Sequence, residues 1–358
     1  MQNFTWKKSH NPGLLLSRLN KVRNQSSEKV TFDAFASFDL TVTIVSCLDA
    51  PSSLTQTAIE TCVRKALFKP QKDGRLDKEV FLEDLELALI EYRSTPLMKF
   101  YLVTSLSYRG APPFKKLQNK NSTIYFDFAN IERFFQAGEF NRDDAEKKLQ
   151  RILPHKPSLA YRKCVVEVRA RNVLEAYQLA SGELDEFRGI VNLFYNSKKH
   201  SRMSSGGLPQ PVNDLRLGRL HTVHDHLGKI PNEQLWYDME FVEPRTLVDL
   251  SKNAANLKKF ITSARRKLNT SAIGDVCTDA IRRYCRSLDR ADWSVAFKDL
   301  WATLEFCTNT AKSTYDVTIR RAATLHKDYE FAVELGKHLR LRRNRLVHSH
   351  FDEKDSEA

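Results

Sequence analysis

The hydrophobic pattern of this chain changes at Pro244, and that change governs what else can be read from it. Upstream, apolar residues recur at two spacings. Phe38, Leu40, Val42 and Ile44 alternate with Asp39, Thr41 and Thr43, the period of a half-buried strand. Lys99–Ser107, Cys164–Ala170 and Trp236–Val242 are rich in β-branched and aromatic residues and also read as strands. From Asn172 to about Tyr195, apolar residues such as Val173, Ala176, Ala180, Leu184, Phe187 and Val191 fall three and four apart, which predicts one long amphipathic helix fed by the strand before it. Residues 197–214 then lose all periodicity in Ser, Gly and Pro and read as an exposed loop. Downstream of Pro244 only the helical period persists, with helices expected near 246–268, 271–289, 293–308, 314–324 and 327–349. The expected class is α+β. A mixed α/β domain over 1–245, divisible into two subdomains, precedes an all-helical bundle over 246–358, and 358 residues suffice for both.

Charge narrows the partners. Lys and Arg total 57 against 44 Asp and Glu, a formal net charge of +13, so the long-range field attracts anions such as nucleic acid or acidic lipid headgroups, and charge alone does not choose between them. Residues 271–358 hold 15 basic and 14 acidic side chains, so the surplus lies upstream, densest in residues 1–30 and around Lys115, Lys116 and Lys120. No stretch approaches the ~18 consecutive apolar residues of a membrane helix, and the basic N-terminus lacks a signal-peptide apolar region. The expectation is a cytoplasmic protein with no membrane association. Six cysteines without a Cys-x-x-Cys pair fit reduced, buried thiols better than a disulfide framework or a zinc site.

The residues with the strongest chemistry stand near the C-terminus. In GKHLRLRRNRLVHSH, Arg340, Arg342, Arg343 and Arg345 precede His348 and His350 on a predicted helix. Histidine titrates near neutral pH and can move the proton of a ribose 2'-hydroxyl or a leaving 5'-oxygen, while guanidinium forks stabilise charge building on phosphate. Such a pair can cleave RNA without metal or cofactor. Spacing alone selects nothing, because Arg-x4-His occurs five times, beginning at Arg216, Arg219, Arg321, Arg343 and Arg345. Arg343 alone among them is followed by Asn. Residues five apart sit about 140° apart round a helix, so Arg343 and His348 do not share a face, whereas Asn344 and His348 do.

The run Arg343-Asn344-Arg345-Leu346-Val347-His348 resembles the Arg-x4-6-His motif of the HEPN superfamily, particularly its Apea-like branch, and Leu300-Trp301-Ala302-Thr303-Leu304-Glu305 is similar to the Leu-Trp-x-x-Leu-Glu segment those domains carry on an earlier helix. The resemblance covers about residues 250–358. It implies a helical bundle that homodimerises and a metal-independent endoribonuclease yielding 2',3'-cyclic phosphate and 5'-hydroxyl ends, in prokaryotes often a phage-defence or toxin-type effector. It also implies roles. Arg343 would bind phosphate, Asn344 organise the site and His348 transfer the proton, with His350 and Glu305 auxiliary. Arg340, Arg342 and Arg345 would hold RNA, and a phage-derived or nucleotide trigger would act on the N-terminal domain. A noncatalytic HEPN-type module binding RNA, a nucleotide or a protein is the alternative.

Two other constellations invite chemistry. His221, His224, Asp225 and His226 resemble a metal cluster in composition, but on a strand His224 and His226 share a face that His221 does not. They read better as a polar strand edge and a turn ending at Gly228, so no metal is expected. Glu167-Val168-Arg169 lacks the lysine and the partnered aspartate of a metal nuclease.

Overall fold

The computed structural model describes residues 4–26, 29–32, 42–51, 54–119, 121–126, 131–136, 141–153, 161–197, 210–231, 234–244, 246–310 and 313–347. The chain is α+β and forms two compact units, residues 1–99 with 169–178, and residues 100–168 with 179–358.

In the first unit β1 (Thr5–Trp6) pairs with β4 (Leu48–Asp49), and β2 (Arg23–Gln25) with β3 (Val30–Phe32), both antiparallel. Helices α1 (Pro12–Val22), α2 (Gln56–Leu67) and α3 (Lys78–Ser94) pack around one core. Each begins at a side chain that accepts an otherwise orphaned backbone N–H: Asn11 from Leu14, Thr55 from Ala58 and Asp77 from Val80. Leu16, Leu19, Val63, Leu67, Phe81 and Leu85 fill the space between them. The expected strand at 38–44 is corrected in part. Residues 42–46 are helical and bury Ile44 in this core, while residues 38–41 lie outside the described residues. Alternation there marks a helical turn that packs Ile44 and, in part, Val45 on the core, since β-propensity yields to packing.

The second unit is built on a six-stranded sheet in the order β11-β10-β5-β9-β8-β7. Its strands are β5 (Met98–Leu106), β7 (Lys116–Gln118), β8 (Ser122–Tyr125), β9 (Arg162–Ala170), β10 (Leu220–His224) and β11 (Leu235–Tyr237). A parallel pair, β6 (Tyr108–Arg109) with β12 (Val248–Asp249), lies apart from it. β10 runs antiparallel to both neighbours, with Thr222 opposite Val103 and Leu235. The expected strand at 236–242 ends at Tyr237, where the chain enters a turn. Short helices α4 (Arg133–Gln136) and α5 (Arg142–Ile152) follow β8, the second opened by a reciprocal cap between Asn141 and Asp144.

The long helix α6 (Val173–Asn196) follows β9, and within this unit it buries Leu184, Phe187, Ile190 and Val191. The C-terminal helices are α7 (Ala254–Thr270), α8 (Gly274–Leu288), α9 (Trp293–Thr308), α10 (Tyr315–Ala323) and α11 (Tyr329–Val347). β12 is a two-residue strand in a region expected to hold none. Consecutive helices pack on each other, α7 on α8, α8 on α9, α9 on α10 and α10 on α11. Asp292 caps α9 by accepting from the backbone N–H of Ser294 and Val295, and Asn309 closes it with φ 51°, the left-handed stop that Asn tolerates. Gly336 lets α11 come close: a Cβ there would lie 2.6 Å from Cγ2 of Ile319 on α10. Among the described residues no helix is long and apolar enough to cross a membrane.

Candidate functional site

The two segments that suggested a ribonuclease meet on α9, α10 and α11. On α9, Trp301 is buried and donates its indole N–H to a carboxylate oxygen of Glu305 one turn later, at 2.8 Å. The Trp301 ring meets Tyr315 edge-on, with centroids 5.9 Å apart. From the other side, the Arg343 guanidinium lies 5.0 Å from the centre of the same tyrosine ring. Tyr315 therefore joins the tryptophan of one segment to the first arginine of the other.

Helical spacing explains which arginines turn toward α10. Arg340 and Arg343 are three apart and share a face. Arg343 rests on Tyr315, and Arg340 donates to Asp316 at 2.8 Å. Arg342 reaches back to α9, where it lies 5.5 Å from the Phe297 ring centre. Arg345 is exposed in the last turn. Asn344 is half-buried and its side-chain oxygen accepts from Arg343 at 3.4 Å. Three guanidinium groups are thus oriented by neighbours on other helices, and α11 itself buries no residue completely. Held arginines lose less side-chain freedom on meeting a phosphate than free ones do. His348 and His350 lie outside the described residues. The motif did not disclose Tyr315, Asp316 or Phe297. For Tyr315 and Asp316 the signal was an aromatic-acidic pair opening a short helix, visible only once α10 is packed against α11.

The histidine cluster resolves differently. β10 is not an edge strand: it sits between β5 and β11 with all five residues buried. The turn does end at Gly228, whose φ is +87°. His221 Nδ1 is 2.7 Å from Thr104 Oγ1, and His224 sits 2.8 Å from Thr222 Oγ1 and 2.7 Å from the carbonyl of Gly228. Burial, aided by the nearby positive Arg142, pushes His221 down to about 3 and His224 down to about 4, so both are neutral. His226 is exposed in the turn. Among the described residues no group of three His, Cys, Asp or Glu could hold a metal ion. Glu167 accepts from the Tyr125 hydroxyl at 3.2 Å on β9.

A second charged cluster had no signal in the sequence. Arg188 on α6 is completely buried, yet it pairs with Asp185 one turn before it and with Asp289 at the end of α8. Arg286 reaches Asp185 from outside at 2.6 Å, and Asn213 donates to Asp289 at 2.8 Å. This network fastens α6, α8 and the segment leading into β10. No family model matches this chain, and no curated protein or solved structure matches it either.

Proposed function

We propose that this chain is a metal-independent endoribonuclease of the HEPN type, cytoplasmic and homodimeric, acting in prokaryotes as a phage-defence or toxin-type effector. The observation that carries the reading is that Tyr315 touches both Arg343 and Trp301, itself bonded to Glu305, and so joins the two segments resembling that family. In this reaction the ribose 2'-oxygen attacks phosphorus and the 5'-oxygen leaves. His348 moves the proton from the first oxygen or to the second, and Arg343 neutralises the charge that builds on the phosphoryl oxygens. Asn344 orients the arginine it touches, and Arg340, Arg342 and Arg345 hold the RNA backbone. His350 and Glu305 serve as auxiliaries, and dimerisation brings a second motif copy to the cleft. The net charge of +13 supports an RNA partner, and a phage-derived or nucleotide trigger acts upstream of α7.

RNA cleavage by the purified chain, Arg343→Ala and His348→Ala, in EDTA with product ends determined, tests the reading. Cyclic phosphate ends from the unaltered chain, lost in both variants, are expected. Cleavage unaffected by either change would overturn the assignment, and RNA binding without cleavage would point to the noncatalytic module.

A further inference from the structure

Of the five C-terminal helices, α7 alone carries no acidic residue: Ala254–Thr270 holds Lys258, Lys259, Arg265, Arg266 and Lys267 and no Asp or Glu. Burial sorts these cations. Leu257, Ile261 and Arg265 turn inward, and Arg265 meets Glu186 of α6 at 3.6 Å. Facing away from that core stand Lys259, Arg266 and Lys267, all exposed. Lys259 and Arg266 are seven apart, so they share a face two turns, or ~10.5 Å, apart along the axis. Asn256, Thr262 and Thr270 are exposed on the same side.

The acids that could neutralise this face are already engaged. Glu186 lies between Arg265 and Arg282, at 3.6 and 3.9 Å, and Glu183 is held by Arg282 at 3.6 Å and by Asn119 at 2.9 Å. Asp249, just ahead of the helix, pairs with Arg109 at 3.3 Å. The side chains of Lys259, Arg266 and Lys267 make no hydrogen bond or ion pair with a described residue. The patch continues beyond the helix. Lys258 Nζ is 5.7 Å from the Phe114 ring centre, and Lys115, next to that ring and within one of the basic clusters of the sequence, is exposed. An exposed cationic face without acids draws a polyanion and releases counterions when it meets phosphates.

We infer that the outer face of α7, extended by Lys115, is a surface for the phosphate backbone of RNA. It rests on the ribonuclease reading for the choice of RNA, and it adds a second holding surface to the motif helix, since α7 packs on α8 while α11 packs on α9 and α10. Asn256, Thr262 and Thr270 supply neutral donors for phosphate or ribose. An acidic membrane fits less well. A helix lying on lipid needs large apolar residues exposed beside its cations, whereas Leu257 and Ile261 are buried and Phe260 packs on Phe194 with ring centres 5.5 Å apart.

Fluorescence anisotropy of a labelled single-stranded 2'-O-methyl RNA, which lacks the attacking hydroxyl, measures binding by the full chain without cleavage. Lys259→Gln, Arg266→Gln and Lys267→Gln combined should weaken binding at least about tenfold at ~0.15 M salt and lower the slope of log K against log salt by about 2, three contacts at ~0.7 each. Adding Lys115→Gln should lower the slope by a further ~0.7. A control with Lys8, Arg18 and Lys21, exposed cations of the other unit, changed to Gln loses the same charge and should keep most of its affinity. Equal losses in the two triple variants, or an unchanged slope in the α7 variant, would overturn the surface. So would an α7 variant that loses binding to phosphatidylserine vesicles while its RNA affinity stays intact. Failure to cleave ordinary RNA would sink the ribonuclease assignment and still leave this result readable, because the uncleavable probe reports binding alone.

Discussion

The guanidinium of Arg343 lies 5.0 Å from the centre of the Tyr315 ring, so the first arginine of the terminal motif is positioned by α10 as well as by Asn344 on its own helix. Both groups are half-buried, where a cation–π contact is worth about 1 kcal/mol. Tyr315→Phe keeps the π face and should leave stability and RNA affinity nearly unchanged. Tyr315→Ala should lower stability by about 1 to 2 kcal/mol and release Arg343. A double-mutant cycle with Arg343→Ala, read by urea unfolding, checks this. Strict additivity of the two changes would show that the pair does not interact.

Gly336 is the contact point of α11 with α10, and the distance of 2.6 Å from its missing Cβ to Ile319 Cγ2 sets the cost of filling it. Alanine would gain up to ~1 kcal/mol of helix propensity. Ile319 is 3% exposed and β-branched, so it has little room to rotate away, and overpacking costs about 1 to 3 kcal/mol. Gly336→Ala should therefore destabilise by about 1 kcal/mol net. Combined with Ile319→Ala it should cost less than the two changes added. A Gly336→Ala chain more stable than the original would mean that the helices stand further apart.

Sequence patterning disclosed what repeats and concealed what is made once. The five C-terminal helices and α6 rest on many residues at three and four spacing, and their ends were legible to within a few residues, except that α7 begins at Ala254 and not near 246. β5 and β9 were legible because their continuous apolar runs are those of buried strands. The alternation ending at Ile44 misled, since residues 42–46 form a helical turn that packs Ile44 and, in part, Val45 on the core. At the site, the motif pointed to Arg343 and Asn344 but could not name Tyr315, because a ring supplied by another helix has no fixed spacing from the motif. The partners of Arg188 lie 3 and 101 positions away, and no local pattern links them.

Asp185 holds two arginines at once, the fully buried Arg188 and the more exposed Arg286. Removing its carboxylate leaves Arg188 in the core with Asp289 alone. Asp185→Ala should cost about 3 to 5 kcal/mol, the range for breaking a buried pair from one side. Asp185→Asn keeps an acceptor for one arginine and should cost less. Chemical denaturation of both variants gives the comparison, and a loss below about 1 kcal/mol in the alanine variant would reduce this network to a surface-like role.

His221 and His224 make stability depend on pH in a defined direction. Burial lowers their pKa values to about 3 and about 4, against an ordinary value near 6.5 in the unfolded chain. Below about pH 6.5 the unfolded state binds protons that the native state refuses, so stability falls as pH falls and levels off only below the native values. At pH 5 each histidine should cost about 2 kcal/mol relative to pH 7. Carboxylates titrate in the same range, so a variant must isolate the histidine contribution. His221→Gln retains a group able to bond with Thr104 and should shrink the loss between pH 7 and pH 5 by about 2 kcal/mol in urea unfolding. Equal pH dependence in the variant and the unaltered chain would mean that His221 takes up a proton without unfolding.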